Sequence, residues 1–512
     1  MAALRSRKLS PPDERTILVR NGMKLEELLA GAGALAIPAN AGAEVSSIVY
    51  DSRRAAPGAL FVAIRGELAD GNHFVHDAME RGATVIVSEL PPIDSARGVT
   101  WVRVENARKA LSTISANFYG RPSERLQLIG VTGTNGKTTT CFLIDSILTA
   151  AGRHGGLFGT IFHRTPAQAL PASTTTPESL DLQRFFAEVA SAGDYAVLEA
   201  SSHALAQERL WGCRFAATVF TNLTRDHLDY HQTFEGYFAA KRRLFEGTGS
   251  GAPAAGIVNM DDPYGAQLEG LAARTISYGL GKHAQVTTKH FAPSLRGLDF
   301  VAQTPAGPIN VHSPLVGRIN VYNILGAIGA ALALDIAPQA IEAGIQRLQS
   351  VPGRFERIDL GQPFLVVVDF AHTDDALRNL IAIARDLHFG GRIITLYGCG
   401  GNRDRTKRPL MGEVAGHNSD VVVLTSDNPR NEDPLFIIND SLVGLQRTSA
   451  TVLVEPDRRR AIQLAIDQAR SGDVVLLAGK GHETVQVLKQ GPVPFNDGEE
   501  ARQALRTRGY GG

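Results

Sequence analysis

The sequence predicts an α/β fold class, in which strands alternate with helices along most of the chain. Short apolar runs recur as expected buried strands, for example Leu126–Val131, Tyr195–Glu199 and Phe364–Phe370. Apolar residues at helical spacing fill segments between such runs, as in Leu180–Ala192 and Asp374–Leu387. Strands that alternate with helices imply parallel sheets joined by right-handed crossovers. A length of 512 residues with 44% apolar residues indicates about three domains, each with its own core.

The first domain is predicted over residues 19–122. Residues 1–18 combine charge with proline and contain no apolar core of signal-peptide length, so a disordered extension is expected there. The elements expected in the domain are strands at Val45–Tyr50, Leu60–Ile64 and Ala83–Val87, a helix at Phe74–Arg81 and a linker at Arg121–Ser123.

A central domain is predicted over residues 123–351 and a C-terminal domain over 352–512, because Val351-Pro352-Gly353 breaks the pattern. Gly279–Asn310 is richer in turn residues than its surroundings and is expected to form an antiparallel excursion. The other elements expected are strands at Ala217–Thr221, Gly256–Asn259, Arg392–Tyr397, Val421–Thr425, Thr451–Val454 and Val474–Leu477 and helices at Phe234–Phe245, Val321–Leu334 and Arg458–Arg470.

Charge and composition exclude several classes of partner. The chain has 52 basic and 52 acidic residues, so it offers no net positive charge to nucleic acid or to an anionic membrane surface. No run of about 20 apolar residues is present, so no membrane insertion is expected. Cys141, Cys213 and Cys399 are far apart and odd in number, which argues against a disulfide framework and favours a reducing, cytoplasmic environment.

A phosphate-binding loop is predicted where the strand Leu126–Val131 gives way to a helix. Gly133-Thr134-Asn135-Gly136-Lys137-Thr138-Thr139 follows the strand, and apolar residues then recur at helical spacing. Backbone N–H groups at a helix start bind anions, while Lys137 would reach the outer phosphates and Thr138 would ligate magnesium. The common loop has a glycine where Val131 stands, and a chance Gly-Lys-Thr in a turn is the alternative. The flanking strand and helix favour the phosphate loop.

Polar residues follow two further predicted strands. Glu199 ends one of them, and a carboxylate at the carboxyl end of a parallel strand suits a magnesium ion beside the phosphate loop. His227 and His231 follow the other at a spacing that suits zinc on a helix face, but no convincing third ligand is present. A magnesium and phosphate role is therefore favoured. The alternatives are a helix N-cap cluster around Glu199 and a solvated helix start around His227.

Lys241 lies in an apolar stretch of the next helix, between Phe238 and Leu244. A lysine in such a stretch is commonly a surface residue whose stem covers apolar neighbours. Alternatively, burial lowers the pKa of the amine, which then reacts with carbon dioxide to give a carbamate, an anionic oxygen ligand for a metal. The residues alone leave both interpretations open.

Four polar loops, two of which contain glycine, follow strands of the third domain. Because the carboxyl ends of parallel strands share one edge of a sheet, the loops are expected to form one site. Their glycines allow close backbone approach, and their basic residues bind phosphate or carboxylate. Taken singly, each could be an ordinary loop. The loops are Asp369–Asp375, Gly398–Pro409, Ser426–Arg430 and Gly479–Glu483.

These motifs, in this order, resemble those of the Mur ligases. The resemblance runs from Asp51-Ser52-Arg53 to Gly479–Glu483 and covers nearly the whole chain beyond its N-terminal extension. The family's own phosphate loop is Gly-Thr-Asn-Gly-Lys-Thr, which accounts for the valine at 131. Within the family, the chain is similar to the synthetases that add the third residue to UDP-N-acetylmuramoyl-L-alanyl-D-glutamate. Also in family order are Ser173–Pro177, Glu199–His203, Thr221–His231 and Lys241.

The resemblance implies three domains: one for the UDP end of the substrate, a central ATPase with a P-loop-type parallel sheet, and a C-terminal dinucleotide-fold-like domain for the incoming amino acid. It implies ATP as co-substrate and two magnesium ions, one held by Thr138 and Glu199, the other by His227 and carbamylated Lys241. The catalytic residues that the resemblance implies are Lys137, Glu199, His227 and Lys241. ATP binding is implied for Gly133, Thr134, Asn135, Gly136, Lys137, Thr138, Thr139, Asn323, Arg354 and His372, and UDP-muramoyl-dipeptide binding for Ser52, Glu67–Ala69, Thr175, Thr176, Ser201, Gln207 and Arg209.

Asp427-Asn428-Pro429-Arg430 is the best indication of the amino-acid substrate. In ligases that resemble this chain, that sequence marks meso-diaminopimelate, whose far end carries a second carboxylate where lysine has only an ammonium group. An arginine meets a carboxylate bidentately and repels an ammonium group. Diaminopimelate binding is implied for Arg403, Asp427, Asn428, Pro429, Arg430, Gly479 and Glu483.

The implied reaction is ATP-driven amide formation through an acyl phosphate, carried out by a cytoplasmic monomer in peptidoglycan precursor synthesis. The alternatives are the same ligase using L-lysine, a folylpolyglutamate synthase, which lacks the Asp-Asn-Pro-Arg signature, and a nucleotide-switched binding protein. Asp374 stands where the family usually has proline, and Ile319 where it commonly has phenylalanine. These departures bear on a local helix start and on adenine packing.

Overall fold

The computed structural model describes residues 22–38, 40–66, 69–94, 96, 98–281, 283–387 and 390–511. The predicted extension at 1–18 lies outside the described residues, and so do Glu67 and Leu68 of the stretch expected to touch the UDP-sugar. The described chain divides into two compact units. The first contains the residues up to Arg125 together with Glu178–Ala192 and Gln207–Gly212, and the second contains the rest.

Strands and helices alternate along the chain, as predicted. Residues 22–125 form β1 Met23–Lys24, α1 Leu25–Leu29, β2 Glu44–Val45, β3 Ser47–Val49, β4 Ala59–Val62, α2 Val75–Glu80, β5 Ala83–Ser88, β6 Thr100–Arg103 and α3 Ala107–Phe118, with 3₁₀ turns at Ser52–Arg54, Gly71–Phe74 and Pro122–Glu124. Residues 126–350 form β7 Gln127–Thr132, α4 Lys137–Ala150, β8 Gly155–Phe158, β9 Phe162–Arg164, β10 Ala169–Pro171, α5 Ser179–Ala192, β11 Tyr195–Glu199, α6 Ser202–Ala206, β12 Ala217–Phe220, α7 Leu228–His231, α8 Phe234–Glu246, β13 Ala255–Asn259, α9 Pro263–Ala266, β14 Thr275–Tyr278, β15 Phe291–Ser294, β16 Gly297–Ala302, β17 Ile309–Ser313, α10 Arg318–Ala333 and α11 Pro338–Arg347. Residues 351–511 form β18 Glu356–Ile358, β19 Leu365–Asp369, α12 Asp374–Leu387, β20 Ile393–Tyr397, α13 Lys407–Asn418, β21 Val421–Leu424, α14 Pro434–Leu445, β22 Thr451–Val454, α15 Arg458–Gln468, β23 Val474–Ala478, β24 Val485–Leu488, β25 Gly491–Pro494 and α16 Asp497–Thr507.

The first unit is built on a four-stranded parallel sheet in the order β3-β4-β5-β6. Alternate residues of β4 enter two cores: Leu60 and Val62 pack with α1, α3 and α5, whereas Ala59 and Phe61 pack with α2. Both faces of the sheet are therefore buried, which is typical of parallel sheets.

The central sheet of the second unit has eight strands in the order β10-β9-β8-β11-β7-β12-β13-β14. The strands from β8 to β14 in that order are parallel, and β9 and β10 add an antiparallel edge. The register sets Glu199 of β11 beside Val131 of β7, and Phe220 of β12 beside Thr132 of β7. The carboxyl ends of β11 and β12 therefore lie on either side of the loop that follows β7.

The third region folds on a sheet in the order β18-β19-β23-β20-β21-β22, parallel except for β18. One face packs its alternate residues, such as Val367 and Leu476, against α12, α13 and α14. The other packs Val366 and Leu477 against α15 and α16. The predicted α/β class is confirmed, and the loops after β19, β20, β21 and β23 leave the same edge of this sheet.

Most predicted elements are confirmed, with differences at their ends. The strand Tyr195–Glu199 and the helix Asp374–Leu387 match residue for residue, whereas the helix predicted at Arg458–Arg470 ends at Gln468. The predicted strand Val45–Tyr50 is divided into β2 and β3. The antiparallel excursion is confirmed as the sheet β15-β16-β17.

The expectations from composition concern disulfides and membrane spans. All three cysteines are described, each is buried, and none forms a disulfide. Within the described ranges, no helix combines the length and the apolar character that crossing a membrane requires.

Candidate active site

The phosphate loop joins the end of β7 to the start of α4. Gly133 and Gly136 have φ of +142° and +86°, in the region that favours glycine. A Cβ at Gly136 would lie 2.3 Å from Asn323 Oδ1, so the loop passes close to α10. Helix α4 starts at Lys137 without a side-chain cap, which leaves its first N–H groups for an anion. Lys137 Nζ lies over the loop and donates to the carbonyl oxygens of Gly133 and Thr134, at 3.0 and 2.8 Å.

Glu199, buried at the end of β11, accepts hydrogen bonds from the start of α4 and from the loop after β8. Its Oε1 accepts from Thr138 Oγ1 at 3.0 Å and from the backbone N–H of Thr160 at 2.8 Å, and its Oε2 accepts from Thr160 Oγ1 at 3.1 Å. Arg354 Nη2 also donates to Thr138 Oγ1, at 3.2 Å. A hydroxyl and a carboxylate thus converge beside the phosphate loop, as the sequence predicted.

Lys241 is buried, with 1% of its surface exposed, rather than a surface residue. Its Nζ donates to the carbonyl oxygen of Gly133 at 2.8 Å and lies 4.4 Å from the ring centroid of Tyr237. Burial lowers the pKa of Lys241 well below its ordinary value, and the positive charge of Lys137 lowers it further. The amine is therefore held toward its neutral, reactive form.

His227 directly precedes α7 with a φ of +54°, and its carbonyl oxygen accepts from the backbone N–H of His231 at 2.9 Å. The His203 ring lies 4.7 Å from that of His227 and 5.5 Å from that of His231. Burial lowers the pKa of His227, Asp226 opposes this shift, and His203 and Lys241 add to it. Across the described residues, no group of three or more His, Cys, Asp or Glu side chains is arranged to hold a metal.

The C-terminal loops form a second charged cluster. Glu483 Oε2 accepts from Lys480 Nζ at 2.6 Å and from Asn428 Nδ2 at 2.9 Å, and the Lys480 side chain has no exposed surface. Arg430 has a φ of +54° and donates from Nη1 to the carbonyl oxygen of Gly401 at 2.9 Å. Burial lowers the pKa of Arg430, and the like charge of Arg403 lowers it further. Arg403 and Arg430 both line the cavity described next.

A cavity of about 1070 Å³ within the second unit brings both clusters together. Gly133, Thr176 and Pro429 do not line it, although Thr176 Oγ1 donates to the Glu199 carbonyl oxygen at 2.6 Å. The predicted residues that do line it are Thr134, Asn135, Gly136, Lys137, Thr138, Thr139, Thr175, Glu199, Ser201, His227, Lys241, Asn323, Arg354, His372, Arg403, Asp427, Asn428, Arg430, Gly479 and Glu483.

Comparisons with known proteins identify the family. Residues 44–119 match the Mur ligase family, catalytic domain; residues 131–331 match the Mur ligase middle domain; and residues 353–481 match the Mur ligase, glutamate ligase domain. A UDP-N-acetylmuramoyl-L-alanyl-D-glutamate--2,6-diaminopimelate ligase from Solibacter usitatus is 52% identical over 92% of this chain and 96% of its own. The chain belongs to the Mur ligase family.

Two further Mur ligases of the same name support this assignment. The one from Geobacter metallireducens is 43% identical over 94% of this chain and 98% of its own. A solved structure is 32% identical, covers 95% of this chain and 99% of that chain, and has a TM-score of 0.65. As a member of this family the chain is an ATP-dependent ligase. This contradicts the alternative of a nucleotide-switched binding protein.

The remaining predicted residues of this Mur ligase, Ser52, Gln207 and Arg209, belong to the first unit. Arg209 Nη2 donates to Gln207 Oε1 at 2.7 Å, and Arg209 Nε lies 3.6 Å from Glu178 Oε2. Ser52 is buried at the start of the 3₁₀ turn that follows β3. The structure thus brings Gln207 and Arg209 together and places Ser52 in a separate turn.

The two departures from the family pattern, Asp374 and Ile319, lie at the start of α12 and in the cavity wall. Asp374 is the first residue of α12, where an acidic side chain suits the helix dipole, so the helix starts without proline. Ile319 lines the cavity and packs against the apolar cluster of Val316, Ile383 and Leu387. It supplies an apolar wall where the family commonly has an aromatic ring.

Sequence reasoning missed several residues of the Mur ligase site. Thr160 follows β8 without any motif, and strand order alone sets it beside Glu199. Arg408 has no exposed side-chain surface, forms a fork with Glu432 at 2.9 and 3.0 Å, and bonds Asp440 at 2.9 Å. Its Nη2 also donates to the Gly400 carbonyl oxygen at 3.3 Å, which ties together the loops that carry Arg403 and Arg430. Asp226, Lys407 and His482, which lie within predicted polar segments but were given no individual role, also line the cavity, and so does Asn320, which lies outside those segments.

Proposed function

We propose that this Mur ligase uses ATP to attach meso-diaminopimelate to the D-glutamate of UDP-N-acetylmuramoyl-L-alanyl-D-glutamate. The cavity that holds a phosphate loop and an arginine pair together carries the proposal. Curated relatives at 52% and 43% identity bear the name of that ligase. We place this reaction in cytoplasmic peptidoglycan precursor synthesis. We also propose that the protein is a monomer with three domains, over residues 19–122, 123–351 and 352–512.

The arginine pair supports diaminopimelate over L-lysine. Arg403 and Arg430 present two like charges, whose mutual repulsion a carboxylate relieves and an ammonium group increases. Diaminopimelate offers such a carboxylate at its far end, whereas lysine offers an ammonium there. Glu483, with Asn428 beside it, is the group that receives an ammonium of the substrate. Asp427, Pro429 and Gly479 shape the same pocket through their loops.

The reaction proceeds in two displacements. The D-glutamate side-chain carboxylate attacks the γ-phosphorus of ATP, which gives an acyl phosphate and ADP. The free amine of diaminopimelate attacks the acyl carbon, loses a proton, and expels phosphate from the tetrahedral intermediate. Lys137 and the first N–H groups of α4 neutralise the phosphate charge, so catalysis rests on positioning and electrostatics. Asn323, Arg354 and His372 border the nucleotide.

The residues fit a first magnesium ion. Thr138 and Glu199 present hydroxyl and carboxylate oxygens 3.0 Å apart beside the phosphate loop, which are the hard ligands that magnesium prefers. When bound there, magnesium neutralises charge on the ATP phosphates. Thr160, which also bonds Glu199, orients that carboxylate.

A second magnesium ion is proposed at His227 and carbamylated Lys241. As an ammonium, Lys241 would be a buried cation beside the charge of Lys137, which is unfavourable; as a carbamate it becomes an anion. Isotope-labelled bicarbonate should give a carbamate carbonyl resonance in the wild type that is absent from Lys241→Met. The same spectrum in both proteins would rule out the modification.

The UDP-muramoyl-dipeptide is proposed to bind Thr175, Thr176 and Ser201, and also Ser52, Gln207 and Arg209 of the first unit. Thr175 and Ser201 line the cavity, and Thr176 Oγ1 lies 3.2 Å from Ser201 Oγ. These hydroxyl groups are suited to bonding a peptide and its carboxylate.

The experiment that tests the function is phosphate release with each amino acid in turn. We expect release only when UDP-muramoyl-dipeptide and meso-diaminopimelate are both present, with the tripeptide product identified by mass spectrometry. Equal release with L-lysine would overturn the interpretation of Arg430. Release without any UDP-linked acceptor would overturn the proposed ligase substrate.

A further inference from the structure

The loops that follow β20, β21 and β23 are called the amino-acid loops, because they carry the proposed diaminopimelate contacts. A buried ion pair lies at the base of two of them, the loops after β21 and β23. The side chains of Arg458, the first residue of α15, and Asp497, the first residue of α16, both have 0% exposed surface. Arg458 Nε and Nη2 donate to the two carboxylate oxygens of Asp497, at 2.8 and 2.6 Å. The pair is a fork in which both charges are satisfied, so its geometry is strongly fixed.

The same guanidinium also bonds the chain where two loops begin. Nη1 donates to the Ser426 carbonyl oxygen at 3.2 Å, and Nη2 donates to the Ala478 carbonyl oxygen at 2.9 Å. Ser426 directly precedes Asp427, and Ala478, the last residue of β23, directly precedes Gly479. The bonds therefore fix the first residues of two loops that carry proposed substrate contacts.

These two loops need such a link because their strands are not neighbours. Strand β20 lies between β21 and β23 in the sheet, so no backbone ladder joins the two. Their side chains nevertheless have to meet: Asn428, from the loop after β21, bonds both Lys480 and Glu483, from the loop after β23. A shift between the two loops would separate these groups.

We propose that Arg458, oriented by Asp497, is a positioning residue for the amino-acid site, because it holds the β21 and β23 loops in the register that substrate binding requires. The inference rests on the proposed function, since it assigns these loops to diaminopimelate. A buried ion pair contributes little net stability, whereas a misplacement of about 1 Å in a binding group costs a large factor in rate. Lysine, with a single ammonium, cannot reproduce a fork and two carbonyl bonds together.

The chain offers a matched control at the opposite ends of the strands. Arg392 directly precedes β20, and its Nε and Nη2 donate to one oxygen, Oδ2, of Asp473, which directly precedes β23, at 3.1 and 2.7 Å. Asp473 is buried, with 4% of its side chain exposed, whereas Arg392 is 30% exposed. This pair belongs to the same sheet but lies at the amino ends of its strands, away from the loops.

The test compares Arg458→Lys with Arg392→Lys. For each protein we would measure kcat, the KM for diaminopimelate and for ATP, and the thermal midpoint. We expect Arg458→Lys to raise the KM for diaminopimelate about tenfold while the KM for ATP stays near wild type. Arg392→Lys should lower the thermal midpoint with neither KM changed.

An unchanged KM for diaminopimelate in a folded Arg458→Lys protein would overturn the inference, and so would equal shifts in both variants. Should Arg458→Lys fail to fold, Asp497→Asn against Asp473→Asn makes the same comparison from the acidic partner. Wild-type protein without diaminopimelate-dependent phosphate release would instead contradict the proposed function, so the two failures are distinguishable.

Discussion

The phosphate loop and the amino-acid loops lie at equivalent places in two parallel sheets, yet they hold their charges differently. At the phosphate loop, Lys137 and Lys241 donate to backbone carbonyl oxygens, including that of Gly133. At the amino-acid loops, Lys480 is paired with the carboxylate of Glu483, at 2.6 Å. A phosphate group of the ligand competes only with neutral carbonyl oxygens for Lys137. An ammonium group of the substrate that binds Glu483 has to share this carboxylate with Lys480.

The two sites also differ in how they are assembled. The phosphate loop is one contiguous segment, completed by Glu199 from a neighbouring strand of the same sheet. The amino-acid site is assembled from separate loops that buried arginines hold together, Arg408 on one side and Arg458 on the other. A contiguous site depends on its own side chains, whereas an assembled site also depends on residues that do not touch the substrate.

The largest effect is expected at the phosphate loop. Lys137→Ala removes the cation proposed to neutralise the transferred phosphate, and kcat should fall by about 10³-fold or more. Steady-state phosphate release measures this, with Lys489→Ala, an exposed lysine of the same unit, as the control. A folded Lys137→Ala protein within about tenfold of wild-type kcat would show that the loop does not work electrostatically.

Lys241 tests whether the second buried lysine acts as an amine or as a carbamate. Its pKa is lowered by burial, so the neutral amine, which is the form that reacts with carbon dioxide, persists at pH values where an ordinary lysine is protonated. Lys241→Ala should lower kcat by about 10²-fold, and added formate or acetate should restore part of it. Removal of bicarbonate should also lower wild-type activity, reversibly. Full activity of the alanine variant without rescue contradicts the carbamate role.

Arg430 tests the assembled site directly. Arg430→Lys keeps a cation but loses the planar fork, so kcat/KM for diaminopimelate should fall by about 10²-fold with the KM for ATP unchanged. Arg405→Lys is the control, because Arg405 lies in a neighbouring loop, is 66% exposed and pairs with Asp440. Similar losses in both variants would mean that Arg430 has no special part in carboxylate recognition.

The same contrast explains what the sequence could predict. Gly133–Thr139 and the flanking strand and helix are contiguous, so the phosphate loop and the place of Glu199 follow from local pattern and the rule for strand ends. Thr160 could not be found in this way, because it reaches Glu199 only through the pairing of β8 with β11. Arg408 lies 24 and 32 residues from its acidic partners, and no spacing rule connects them.

Polar residues after predicted strands located the charged loops of the third region, and the resemblance to a family assigned their roles, but the contacts that hold the loops together were visible only in the fold. Four loops were expected at one sheet edge because the strands are parallel, and β19, β20, β21 and β23 confirm this. The sequence placed Arg458 inside a predicted helix, and nothing local indicates that its guanidinium reaches two loops and another helix. Burial of a charge is a tertiary property.

The smallest effect is expected where the two sites are joined. Asn135 Nδ2, in the phosphate loop, donates at 2.8 Å to Asp375 Oδ2 on α12, whose preceding loop lines the same cavity. Asp375→Ala removes this bond, so the KM for ATP should rise about fivefold, which corresponds to about 1 kcal/mol, the usual net contribution of one hydrogen bond, with the KM for diaminopimelate nearly constant. Asp374→Ala, one residue earlier on the same helix, should leave both constants near wild type. If the KM for diaminopimelate rises in parallel for Asp375→Ala alone, the two sites are coupled through α12, and the contrast between a self-contained and an assembled site has to be abandoned.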